Sequence, residues 1–192
     1  MRVLFLTLGL CFAAFPSVAA SIAEESAQHG DIEVAVSLDA AEQSGSARAS
    51  VTIHARREIV WSLITNCKEA MSLVPGLVGC EVLESAPDRS WQRIRHVLNY
   101  SWYVPSLTYE IRASYAKPSR VAIERVSGDL RVLKGSWTLQ SEGRDTIADY
   151  KVYLEPGFWV PRWIVRVALR RDLPKMLRAL RSRAEFMQEQ SP

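Results

Sequence analysis

The chain has 192 residues, 48% of them hydrophobic, enough for one domain with a sizeable core. Its net charge of +3 at pH 7 is small, and no nucleic-acid partner is expected. Its cysteines and histidines show no C-x-x-C or H-x-x-x-H spacing, so neither a metal site nor a cofactor is expected. No G-x-S-x-G elbow or G-x-x-x-x-G-K loop is present either.

Residues 1–20 carry a basic Arg2, a short apolar run from Val3 to Phe15, and the small-residue end Ser17-Val18-Ala19-Ala20. This is the pattern of a secretory signal peptide cleaved after Ala20, and it predicts a periplasmic or secreted protein. Its loss removes one Arg and brings the net charge from +3 to +2. Residues 21–30 are polar and predict a flexible lead-in. A single domain is expected over residues 31–190.

Asp31 to Asp39 alternates, with Ile32, Val34, Val36 and Leu38 on one face. Val51, Ile53 and Ala55 continue the alternation in a second strand. The period then changes. Glu58 to Ile64 predicts a short helix burying Val60, Trp61 and Ile64, and Lys68 to Leu73 a second one, stopped by Pro75-Gly76. Cys67 and Cys80 flank this region. In an oxidising compartment such a pair invites a disulfide, although Cys80 also suits a small buried strand residue.

Strands follow at regular spacing. Ile94, His96 and Leu98 share a face, as do Tyr109, Ile111 and Ala113, then Leu133, Trp137 and Leu139. These inward sets make His96, Leu98, Tyr109, Ile111 and Trp137 candidates to line a cavity. His96 could polarise a ligand or act as acid or base. The favoured reading is a hydrogen-bonded core histidine, since one ionisable group with no visible partner is weak evidence for chemistry. Arg93, Arg95, Glu110 and Arg112 fall on the opposite, outer face. Glu142-Gly143-Arg144-Asp145 predicts a hairpin, and Ile147 to Glu155 the last strand.

Pro156 to Glu189 closes the chain with a long helical pattern. Leu173, Met176, Leu177, Leu180, Ala184 and Met187 form one stripe at about 100° per residue. Trp163, Ile164, Val165, Val167, Ala168 and Leu169 cover most of the circumference before it. Pro174 stands where the two patterns meet and predicts a kink or break. From Arg162 to Arg183 there are eight Lys or Arg against Asp172 alone, so a basic, aromatic helix could touch an anionic membrane surface transiently. The fold class is α+β. A strongly curved antiparallel sheet wraps around the long C-terminal helix, with two short helices after the first strands.

Two motifs carry a family resemblance. One is Ala49-Ser50-Val51-Thr52-Ile53-His54-Ala55, followed by Ile59-Val60-Trp61 and Val74-Pro75-Gly76-Leu77. The other is Pro156-Gly157-Phe158-Trp159-Val160-Pro161-Arg162-Trp163-Ile164 with Leu173-Pro174 and Leu177-x-x-Leu180-Arg181. With this element order the chain resembles the START-like helix-grip superfamily. The branch it looks like is that of polyketide cyclases/dehydrases, coenzyme Q-binding proteins and lipid-binding START domains. The resemblance implies a hydrophobic small molecule, such as a lipid, quinone or polyketide, held under the last helix. It also implies that Trp159, Val160, Trp163, Ile164 and Val167 line or gate that cavity. Where many relatives have an acid after the first helix, this chain has Asn66-Cys67, so no role carries over to that turn. A binding or transport protein is therefore expected. The alternatives are a cyclase or dehydratase using the same cavity, and an interaction module using the basic helix.

Overall fold

The computed structural model describes residues 25–28, 32–39, 44–99 and 106–191. The expected signal peptide lies outside these residues. Among them, nine strands form one antiparallel sheet: β1 (Glu25–Gln28), β2 (Ile32–Leu38), β3 (Gly45–Ile53), β4 (Leu77–Ser85), β5 (Trp91–Leu98), β6 (Leu107–Ala116), β7 (Arg120–Gly128), β8 (Leu130–Glu142) and β9 (Asp145–Pro156). Their order is β1-β2-β3-β9-β8-β7-β6-β5-β4. The last six strands are consecutive hairpins, and the return of β9 to β3 places the N-terminal strands beside the last one. Two short helices, α1 (Arg57–Ile64) and α2 (Cys67–Leu73), carry the chain from β3 to the far edge at β4.

β1 lies within the stretch expected to be a flexible lead-in. There it pairs with β2, from Glu25↔Val36 to Gln28↔Glu33. Polar composition does not prevent an edge strand, because the ladder bonds are made by backbone groups.

Alternation decides which face is covered. Ile32, Val34 and Val36 are buried, as are Ala47, Ala49, Val51 and Ile53 on β3. The C-terminal helical segment lies over that face. It runs through α3 (Arg162–Val167), one π-helical turn (Ala168–Asp172) and α4 (Leu173–Glu189). Gly45 allows its close approach, since a Cβ there would stand 2.7 Å from a Leu169 methyl and 2.8 Å from one of Leu38.

The expected break at Pro174 is instead a change of helical register. Leu173 keeps helical angles, φ −61° and ψ −49°, so the backbone passes through the join. Val165, Leu169, Leu173 and Leu177 are all buried and recur every four residues. In a pure α-helix each such step drifts by about 40°, or about 120° over the row. The i→i+5 bonds of the π turn hold more residues per turn and take up much of that drift. Two apolar patterns that seem out of phase as one α-helix thus face the same sheet. Pro174 follows directly, where its missing N–H falls at the first turn of α4.

Polar ties fix the C-terminal half of α4. Arg183 donates to both carboxylate oxygens of Glu69 on α2 at 3.1 and 3.2 Å. Glu185 and Gln188 accept from the backbone N–H groups of His54 and Arg56. Cys67 and Cys80 form a disulfide with Cα atoms 5.4 Å apart, which fastens α2 to β4. Closing a short loop of this kind lowers unfolded-chain entropy by about 3 kcal/mol in the chain-entropy account.

Candidate functional site

Curvature of the sheet leaves space beneath the C-terminal helical segment, in two adjoining chambers. One, of about 170 Å³, lies under α4 and beside α1 and α2. His96, Ile111, Tyr115, Trp137 and Leu180 are among its walls. The other, of about 190 Å³, lies under α3 and the π turn, with Leu98, Phe158, Val160, Ile164 and Asp172 in its lining. Val74, Tyr109, Leu133, Tyr150 and Met176 belong to both, so one wall is shared.

The α4 chamber carries the polar groups expected from the strands. Side-chain alternation along β5 and β6, with His96 opposite Tyr109 in register, brings the two together. His96 Nδ1 and the Tyr109 hydroxyl are hydrogen-bonded at 3.3 Å, and the rings meet edge-on with centroids 5.4 Å apart. Burial lowers the His96 pKa from 6.5 to about 4, so the imidazole is neutral at neutral pH. Tyr115 donates to Gln92 at 2.9 Å and packs edge-on against Trp61, and burial pushes its phenol up to about 12. Trp137 packs on Tyr150 with centroids 4.4 Å apart. The partner of His96 is therefore a phenol, and its neutral form is set by desolvation.

Seven of the ten residues singled out from the sequence line the chambers. His96, Ile111 and Trp137 stand in the first, Leu98, Val160 and Ile164 in the second, and Tyr109 in both. Three do not. Trp159 is 75% exposed and Trp163 52%, both outside the lining. Val167 is half-buried and lines neither chamber. The reason is phase: Val165 and Leu169 turn inward beside Gly45, and this turns Trp163 to the surface.

Asp172 was not singled out, because it looked like one acid in a basic run. Yet Ile164, Ala168, Asp172 and Met176 recur every four residues, and all four line the α3 chamber. That spacing was the available signal. Burial raises the Asp172 pKa, and the charges of Lys175 and Arg171 oppose the rise.

The outer strand face behaves as alternation requires. Arg95 bridges Glu110 at 3.1 Å and Glu81 at 3.3 Å, and Arg112 lies 4.1 Å over the Trp91 ring. These residues hold the sheet edge and stand away from the cavity. On the helix, Arg171, Lys175 and Arg178 are exposed and spaced four and three apart, which places them on one face. Among the described residues, no helix is long and apolar enough to cross a membrane.

Known structures share the architecture. A STAR-related lipid transfer protein fragment from Xanthomonas axonopodis is 20% identical, with 83% of this chain and 97% of that one covered and a TM-score of 0.71. The Zhui aromatase/cyclase of a Streptomyces species is 16% identical over 74% of this chain and 94% of its own, at a TM-score of 0.63. A START superfamily protein from Mycobacterium smegmatis is 17% identical over 74% and 98%, also at 0.63. At these identities the likeness shows the helix-grip fold. No curated protein shows significant sequence similarity to the chain. The sequence profile of one family matches residues 53–181, more than half of the chain, and the protein belongs to that family, described as polyketide cyclase/dehydrase and lipid transport.

Proposed function

We propose that the protein binds and carries a hydrophobic small molecule, a lipid or isoprenoid quinone, in the two chambers beneath its C-terminal helical segment. The observation that carries this reading is a mostly apolar cavity whose histidine is held neutral by burial. An apolar ligand loses little by entering such a space and gains contact with its walls. Export to an oxidising compartment belongs to the same reading, supported by the N-terminal pattern of residues 1–20 and by the Cys67–Cys80 bridge. Exposed Trp159 and Trp163, on the same C-terminal segment as the exposed cations Arg171, Lys175 and Arg178, suit transient contact with an anionic lipid surface. The segment Trp159 to Leu169 then serves as the gate.

Native mass spectrometry of the protein purified from cells, followed by organic extraction, tests the reading. A retained lipid or quinone is the expected result. Protein that is ligand-free, and remains so after incubation with vesicles of total cell lipid, would overturn it. The second reading is a cyclase or dehydratase, which the His96–Tyr109 pair inside the cavity favours. His96→Ala separates the two: a carrier keeps most of its lipid, whereas an enzyme loses turnover with its fold intact.

A further inference from the structure

Asp172 is the last residue of the π turn and lines the α3 chamber. Among the described residues it is the one charged side chain in that lining, where the phenols of Tyr109 and Tyr150 are the other polar side chains. The residue is only 9% exposed. Its flanking cations, Arg171 and Lys175, are themselves exposed on the outside of the helix. The helix therefore turns one carboxyl group inward and its neighbours outward.

This arrangement is a product of the local register. Asp172 continues the row Ile164, Ala168, Met176, and the π turn keeps that row over the chamber. A carboxylate in an apolar chamber has lost much of its water; the outer charges of Lys175 and Arg171 offset part of that cost, and a donor inside the chamber would offset more. The other walls are mostly Leu, Val, Ile and Phe, which offer none, and the Tyr109 phenol is already bonded to His96.

We propose that Asp172 is the polar anchor of the α3 chamber and accepts a hydrogen bond from a hydroxyl group on an otherwise apolar ligand. The inference rests on the cavity-binding reading given above and narrows its ligand class. A hydrophobic alcohol, phenol or quinol supplies an O–H to the carboxylate. A ligand with carbonyl acceptors alone, such as an oxidised quinone, supplies none. An anionic head group would be repelled by the carboxylate. An ammonium would meet the field of Arg166, Arg171, Lys175 and Arg178, so a neutral donor fits best.

The test uses the full mature chain and two probes with one apolar body, farnesol and farnesyl methyl ether, each competing against bound Nile red. Wild type is expected to prefer farnesol by about tenfold, the effect of one hydrogen bond to a charged acceptor. Asp172→Leu should bring the two affinities within about twofold through loss of farnesol binding, with the ether unchanged or tighter. Asp172→Asn keeps shape and an acceptor oxygen, and should show an intermediate preference. It serves in place of the leucine variant should that one fail to fold by circular dichroism. Equal affinities in wild type, or an undiminished preference in the Asp172 variants, would overturn the anchor while leaving the cavity reading standing. Failure of both probes to displace the dye from wild type would overturn both.

Discussion

Replacing His96 with glutamine should flatten the acid side of the stability profile. The imidazole lines the α4 chamber, bonded to Tyr109 at 3.3 Å, and burial lowers its pKa from 6.5 to about 4. In the unfolded chain it takes up a proton as the pH falls through 6.5, but in the folded protein only near pH 4. Between these values the unfolded chain binds more protons, so stability rises with pH across that window. The contribution is complete above pH 6.5, is lost as the pH falls towards 4, and changes no further below it. The gap corresponds to an upper limit of about 3 kcal/mol, at roughly 1.4 kcal/mol per pKa unit. Urea unfolding of the ligand-free protein, wild type against His96→Gln at several pH values between 4 and 7, isolates the effect from the carboxylates both proteins share. Wild type should lose up to about 3 kcal/mol more than the variant on acidification. Parallel curves, or a wild type favoured at low pH, would refute the assignment of a desolvated neutral imidazole.

Replacing Trp159 and Trp163 together with alanine should cost under about 1 kcal/mol of stability, because both rings are exposed, and should abolish co-sedimentation with anionic vesicles. A loss of about 3–5 kcal/mol would mean that the rings pack in the core. Hydrogen exchange of the ligand-free protein should be faster at Ile164–Leu169 than at Met176–Ala184, because polar ties to Glu69, His54 and Arg56 fasten the later part of the helix. Equal protection of the two segments would leave no gate.

Much of the fold was legible because it rests on alternation and composition. Ile32, Val34 and Val36, or Tyr109, Ile111 and Ala113, announce a covered sheet face with a period that a helix cannot share. The two short helices announce themselves by the change of period at Glu58 and the stop at Pro75-Gly76. The C-terminal helical segment was harder. A helical wheel assumes one twist throughout, and the π turn at Ala168–Asp172 changes it midway. The family resemblance put Trp163 and Val167 at the cavity, and Asp172 stood hidden among surface charges. β1 was missed because its polar residues Glu25, Ser26 and Gln28 give no apolar period, and its pairing partner β2 is what makes it a strand.

The walls of the cavity bear on what the protein does as much as its polar groups do. Ala113 and Gly135 face the α4 chamber, at positions where larger side chains could fill it. A Cβ on Gly135 would meet the Lys151 carbonyl at 3.2 Å and next Ile123 at 3.7 Å. Empty volume in a packed interior is destabilising by roughly 24 cal/mol per Å³, so a dry chamber of about 170 Å³ would cost at most about 4 kcal/mol, the limit for a fully enclosed space. That is a large share of the roughly 5–15 kcal/mol by which folded domains are usually stable. The same interior packs Leu177, Ile32 and Ile53, which line neither chamber, with at most 1% exposure, so the chain can fill space closely where it needs to. The void is therefore local and lies beneath α4. A molecule occupying it restores the missing contacts and binds only the folded state, so it raises stability in proportion to the logarithm of its concentration over its Kd. A cavity with this linkage is weaker when empty than when full.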